Sequence, residues 1–202
     1  MEKQPIFLDD ADRRVFLDCF ARHLGSEPDF DSRGRPYRYL RDSVALGAYC
    51  LLSNHFHLLV QERGDGDGIS RLMRSAMTAY GAHFNARYSR RTALCAGSFR
   101  SRRIVGEGQL CSAAVYVHLN YRNDPLCAFS SHGHLVRGVG PEWVASEALL
   151  SEIGRESYLT RLEDVRRRRQ QLAEQMRTAA ALDAEVLALI EERRESELTR
   201  LP

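Results

Sequence analysis

Two histidines one residue apart, His55-Phe56-His57, are the pair in this chain best placed to share a metal ion. On a strand, residues i and i+2 point to one face, so both imidazoles can reach a single ion while Phe56 turns to the core. The same spacing also occurs in structural histidine pairs and is weak evidence alone. Here Leu52, Phe56 and Leu58 anchor the opposite face, which leaves two polar rings on a sheet surface in need of a partner to offset desolvation. A second constellation is Tyr116 with Asn120, four residues apart and so on one face of a helix. Gln109, Ser112 and Ala113 continue that face. A phenol is a nucleophile once deprotonated, and an amide carbonyl can ligate a cation. The plain alternative is a core tyrosine with a satisfied hydroxyl beside a helix-end asparagine.

The elements that must position these groups follow from local pattern. Asp9 and Asp10 offer N-caps for a helix with apolar residues Val15, Phe16, Cys19, Phe20 and Leu24, ending at Gly25. A polar loop, Ser26 to Arg38, follows. Val44 to Leu52 is apolar, Ser53-Asn54 is a turn signal, and His55 to Val60 is a second apolar run. Together they predict an antiparallel hairpin at the buried centre of a sheet. Ile69, Leu72, Met73, Ala76, Tyr80 and Phe84 define a long amphipathic helix, and Leu110, Ala114, Val117 and Tyr121 another from about Glu107, stopped by Asp124-Pro125. The segment F-S-S-H-G-H-L-V-R-G-V-G-P reads as turns, which makes His132-Gly133-His134 a surface turn with no strand to orient it. His118 should point off the Tyr116 face, and His23 and His83 sit at helix edges. From Trp143 onward the chain is rich in Ala, Leu, Glu and Arg and reads as helix. Arg166 to Arg169 is either a basic patch or a solvated helix face.

Composition bounds the rest. With 202 residues, the chain can bury one substantial core, giving a domain over 1–140 and a helical extension over 141–202. No stretch approaches the ~20 apolar residues of a membrane span, so a cytoplasmic address with no membrane partner is expected. Cys19, Cys50, Cys95, Cys111 and Cys127 are odd in number and lack a C-x-x-C pair, as expected of reduced packing thiols. The net charge of +2 hides an asymmetry: Gly68 to Gly106 has no Asp or Glu but contains Arg71, Arg74, Arg87, Arg90, Arg91, Arg100, Arg102 and Arg103. An acid-free arginine block suits a polyanionic partner, although a solvated helix face gives the same pattern. Tyr80, Phe84, Tyr88 and Phe99 could stack unpaired bases or fill a core.

The string A-Y-C-L-L-S-N-H-F-H-L-L-V (Ala48 to Val60), followed by Y-V-H-L-N (Tyr116 to Asn120), resembles the tyrosine transposase superfamily of HUH nucleases, with its insertion-sequence and REP-associated members. The likeness extends through Gln4 to Arg14, Phe84 to Tyr88, Gly97 to Arg103 and Phe129 to His132. Pro141 to Trp143 and Ser151 to Arg155 are similar to the REP-associated extension. The resemblance implies an α+β, ferredoxin-like antiparallel sheet with helices on one side, the H-x-H on a central strand and the tyrosine on a facing helix. It implies Mg2+ or Mn2+ bound by His55, His57 and Asn120, with Tyr116 as nucleophile. The implied partner is single-stranded or hairpin DNA, and the chain would work as a monomer or homodimer.

Two features depart from the family pattern. The usual first strand, Y-H-x-x-x-R-G, has no counterpart ahead of Pro5-Ile6-Phe7, so the expected sheet lacks that member. Tyr121 to Pro125 replaces an N-P-V that usually follows the helix directly, which could shift Asn120 from the metal. Two other functions therefore stand beside cleavage: a domesticated or decayed nucleic-acid-binding module, and a hydrolase using water, which would want a carboxylate cluster that the sequence does not show.

Overall fold

The computed structural model describes residues 4–64, 66–95, 97, 99–120 and 129–198, with side chains described as far as residue 177. The fold is α+β, with a two-stranded antiparallel sheet. The elements are α1 (Asp10–Leu24), β1 (Val44–Leu51), β2 (Phe56–Glu62), α2 (Gly68–Arg87), α3 (Glu107–Leu119), α4 (His132–Arg137), α5 (Ser146–Ile153) and α6 (Arg155–Leu198). They divide into two compact units, Met1–Tyr158 and Leu159–Pro202. The second is built on the continuation of α6, whose four arginines from Arg166 lie along the helix. Residues 141–158, which the sequence groups with the tail, belong to the first unit. No described helix is long and apolar enough to cross a membrane.

α1 begins where the sequence places it. The Asp9 carboxylate caps the helix by accepting from the Asp12 N–H at 3.0 Å, and Gly25 ends it. Asp12 is fully buried and is held by the Leu8 N–H, the Tyr88 hydroxyl and Arg87. That burial fixes α1 against the end of α2. The start of α2 is tied to the sheet by Glu62 of β2, which accepts from the Ile69 N–H at 2.9 Å and places a carboxylate at the helix's positive end. A Cβ on Gly68 would lie 2.6 Å from Glu62 Oε1 and 2.7 Å from Val44 Cγ2, so a larger residue here would force those side chains to shift.

The hairpin turns at Ser53-Asn54, where the Leu52 N–H bonds the His55 carbonyl at 2.9 Å. Its register pairs Leu51 with Phe56 and Cys50 with His57, and then slips by one residue at Gly47. The bulge keeps Val44, Leu46, Tyr49 and Leu51 in one core with Phe16, Phe20, Leu72, Tyr80 and Phe84. Phe56, Leu58 and Val60 pack on that same core. α1 and α2 therefore cover this face, with Phe16 4.8 Å from Phe56 between ring centroids. α3 covers the other.

Three expectations need correcting here. Helices lie on both faces of the hairpin, because each face carries apolar residues that need cover. The hairpin is the whole described sheet, not its centre: β1 gains only an isolated bridge from Cys50 to Ser130 on its outer edge, and β2 has no second strand among the described residues. The segment read as turns contains α4, and His132 is buried on it, so His132-Gly133-His134 is not a surface turn. The predicted end of α3 at Tyr121, its stop at Asp124-Pro125 and Cys127 lie outside the described residues. Cys19, Cys50 and Cys111 are buried and Cys95 is exposed.

Candidate active site

The two histidines share a side of the hairpin, as alternation requires. His55 closes the turn, His57 lies within β2, and their ring centroids are 5.0 Å apart. The His55 Nδ1 is 2.6 Å from the Asn54 Oδ1. An amide oxygen only accepts, so this contact places the ring proton on Nδ1 and leaves Nε2 with its lone pair, the tautomer a metal ligand needs. The His57 Nε2 is buried and makes no hydrogen bond among the described residues. Burial, and then the neighbouring His55, hold its basicity below the usual histidine value, which keeps the imidazole neutral.

α3 brings Tyr116 to this pair. The Tyr116 ring meets His57 edge to face, with centroids 5.4 Å apart, and the side chain remains 54% exposed. A half-exposed tyrosine is open to a macromolecular substrate. Asn120 behaves differently. It caps the C-terminus of α3, and its Nδ2 donates to the Tyr116 carbonyl at 2.8 Å, with no hydrogen bond to either histidine among the described residues.

The donor set fits a divalent ion on one specific ground, the buried His57 Nε2 with nothing to bond beside a second imidazole in the metal-binding tautomer. No group of three His, Cys, Asp or Glu gathers for a metal among the described residues. Among the described residues, a third protein ligand would therefore be of another type, such as the Asn120 carbonyl oxygen or a phenolate.

Behind the site lies a buried polar cluster whose role the residue pattern does not reveal. His118, on α3 two residues from Tyr116, bonds the Ser131 Oγ through Nε2 and the Tyr158 hydroxyl through Nδ1, both at 2.8 Å. His132 bonds the same hydroxyl at 2.7 Å, and the Ser131 Oγ accepts from the Tyr49 N–H of β1 at 2.8 Å. Burial, reinforced by His132 and His134, pulls the His118 imidazole down to about 3, so it is neutral at physiological pH. One face of α3 is thus bolted to β1 while the other carries Tyr116. The strings Y-V-H-L-N and F-S-S-H contain these residues, but nothing in the spacing links positions 118, 131 and 158. His23 is also buried rather than at an edge, with Nδ1 2.7 Å from the Arg38 carbonyl.

The arginine block divides by environment. Arg74, Arg91, Arg100, Arg102 and Arg103 are exposed, and no ion pair ties them among the described residues. Arg71 pairs with Asp67 one turn away, and Arg90 lies over the Phe84 ring at 5.4 Å. Arg87 is committed to structure, bridging to both Asp9 and Asp12. Tyr80 and Phe84 are core residues and Tyr88 packs against them, whereas Phe99 is 44% exposed in the same stretch as the free arginines. No family of known proteins, no curated protein and no solved structure matches this chain.

Proposed function

We propose that the chain is a tyrosine-dependent nuclease of the HUH type, with a ferredoxin-like ancestry, that cuts and rejoins single-stranded DNA. The observation that carries this reading is the facing of an exposed tyrosine on α3 and a histidine pair on β2. His55 and His57 would hold the ion, Mg2+ or Mn2+, with Asn120 as the candidate third ligand. When bound, such a cation polarises a phosphate and offsets charge on its oxygens.

The chain's own residues do the rest. Tyr116 Oη gives up its phenol proton to solvent and attacks the phosphorus in line. A P–Oη bond forms as the P–O3′ bond breaks, and the leaving 3′ oxygen takes up a proton from solvent to become a free hydroxyl, so no net proton is gained or lost. The product is a 5′-phosphotyrosine, which preserves the bond energy for rejoining. Asn54 holds the His55 tautomer, His118 and Ser131 fix the helix behind the nucleophile, and Arg91, Arg100, Arg102 and Arg103 offer cationic contacts to the DNA backbone.

The test is covalent capture of a labelled, hairpin-flanked oligonucleotide. The wild-type chain forms a 5′ adduct in the presence of divalent cation, and Tyr116→Phe forms none. An adduct with the phenylalanine variant removes Tyr116 as nucleophile. A second reading, a nucleic-acid-binding module that no longer cuts, is favoured by Asn120, whose side-chain amide is turned back onto its own helix. It predicts binding without an adduct and without need of metal, steeply dependent on salt.

A further inference from the structure

α6 runs for 44 residues, and from Arg167 to Arg177 every residue on it is exposed, Leu172 at 58% and Met176 at 66% included. A helix owes most of its stability in water to an apolar face packed on something, so about three turns exposed on every side call for a covering surface. Leu172 and Met176 are four residues apart and share a face. Continued in alternating steps of three and four, that face runs from Val165 to Ile190 and is apolar except at Arg169 and Asp183. This is the spacing of a coiled-coil seam, ~38 Å long at 1.5 Å per residue.

The seam is its own complement only when reversed. Its positions are symmetric about the turn from Met176 to Ala179, so an antiparallel pair matches Val165 of one copy with Ile190 of the other, Arg169 with Val186, Leu172 with Asp183 and Met176 with Ala179. Two-fold symmetry repeats each match. Arg169 of one copy then lies one layer from Asp183 of the other, within the reach of a long guanidinium side chain. In a parallel pair each residue meets its own copy, arginine on arginine and aspartate on aspartate, which repel.

The charge along the helix has the same sense. Between Leu159 and Arg177 six arginines stand against three acids, and between Thr178 and Leu198 six acids stand against two arginines. Antiparallel alignment lays the positive half of one helix along the negative half of the other. One like-charged match, Arg166 opposite Arg194, falls at the outer ends of the seam, where solvent and salt screen it.

We propose that α6 is a self-association helix, covered by a second copy of this chain in an antiparallel two-stranded coiled coil over residues 165–190, with Arg169 and Asp183 setting the orientation. Charged seam positions lower the stability of a coiled coil while fixing how its strands align, so the dimer dissociates on dilution. The inference is independent of the nuclease reading. Where both hold, each dimer carries two Tyr116 sites and two arginine-rich surfaces, and binding of paired DNA sites gains from their linkage.

Sedimentation equilibrium of the full-length protein, at concentrations on the order of 1 to 100 μM, tests the proposal. Wild type is expected as a monomer–dimer equilibrium. Arg169→Asp and Asp183→Arg each place like charges one layer apart and should weaken the dimer at least about tenfold, as should Leu172→Glu. Arg169→Asp and Asp183→Arg combined in one chain rebuild the pair with its signs exchanged and should restore the dimer to within about threefold of wild type. Arg169 and Leu172 are exposed, so their variants keep the fold of the first unit, which the near-ultraviolet circular dichroism of Trp143 verifies. A wild-type protein that stays monomeric throughout leaves α6 to another occupant and overturns the proposal. A dimer indifferent to all three single substitutions lies on another surface and overturns it as well, and a double variant as weak as the single ones overturns the antiparallel seam. Tyr116→Phe must dimerise like wild type, so failure of the coiled coil and failure of the nuclease reading give different results.

Discussion

The imidazole of His57 and the phenol of Tyr116 meet at 83° with 5.4 Å between ring centroids, one on β2 and the other on α3. The contact joins two elements whose positions are fixed independently, β2 by its ladder to β1 and α3 by the His118–Ser131 bond. A metal held by the histidine pair would therefore lie beside the tyrosine in a prebuilt geometry, with little ordering required on binding.

If the pair binds an ion, His55→Ala and His57→Ala should each weaken Mn2+ binding by at least about tenfold, because only one imidazole donor is left. Asn54→Ala should weaken it less, by releasing the His55 tautomer. Calorimetric titration of the purified protein with Mn2+ gives all three values. Chelation of the metal should abolish adduct formation while leaving oligonucleotide binding in place. Equal Mn2+ affinity in wild type and both histidine variants would move the metal site elsewhere.

The arginines should separate into two behaviours. Replacing Arg100, Arg102 and Arg103 together by alanine removes exposed cations, so DNA affinity falls. On a single strand, the slope of log affinity against log salt becomes shallower by about 0.7 for each phosphate that the variant no longer neutralises. Arg87→Ala should instead lower the melting temperature, since it strips the partner from buried Asp12 and from Asp9. Binding isotherms at several salt concentrations and thermal melts distinguish the two. A triple variant with unchanged affinity would take this stretch out of the DNA interface.

How far the sequence can be read depends on how local each determinant is. The limits of α1 follow from Asp9 and Gly25, and the hairpin from Ser53-Asn54 between two apolar runs, because each signal lies within a few residues of what it specifies. The facing of His55 and His57 follows from strand alternation for the same reason. α4 is invisible in the pattern, since it has only six residues, includes Gly133 and depends on Ser131, whose N–H bonds the Tyr49 carbonyl of β1. Arg87 looks like a member of the acid-free block because its carboxylate partners are 78 and 75 residues away in the chain. Trp143 and Tyr158 read as tail residues, yet their partners, Tyr49 and His118, lie in the first unit.

Acid should find the Asp9–Arg87 pair. The hydrogen bond from Arg87, followed by the capping contact with Asp12, holds the Asp9 carboxyl down to about 2, below its ordinary 3.8. A lowered folded-state value stabilises the protein above the unfolded value, and the contribution is lost as pH falls from about 4 through 2. Asparagine preserves the cap without the charge. The melting-temperature deficit of Asp9→Asn should accordingly be constant near neutrality and shrink towards zero as pH approaches 2. A deficit that persists unchanged at the acid end would mean that the cap geometry, not the charge, is what the substitution disturbs.

The buried cluster behind Tyr116 makes a prediction about coupling. The Tyr158 hydroxyl has one proton, so it donates to one imidazole and accepts from the other, and this fixes opposite tautomeric needs on His118 and His132. Tyr158→Phe removes that shared partner while keeping the ring, and should cost about 1–3 kcal/mol by stranding buried nitrogens. If the bond to His118 is what matters, the double substitution with His118→Leu should cost less than the sum of the single ones, by about 0.5–3 kcal/mol, as expected for members of one network. Urea denaturation of the four proteins closes the cycle. Strict additivity would show that Tyr158 and His118 stabilise the fold separately, and α3 would then owe its position to apolar packing through Ala114, Val115 and Val117 rather than to the polar bolt.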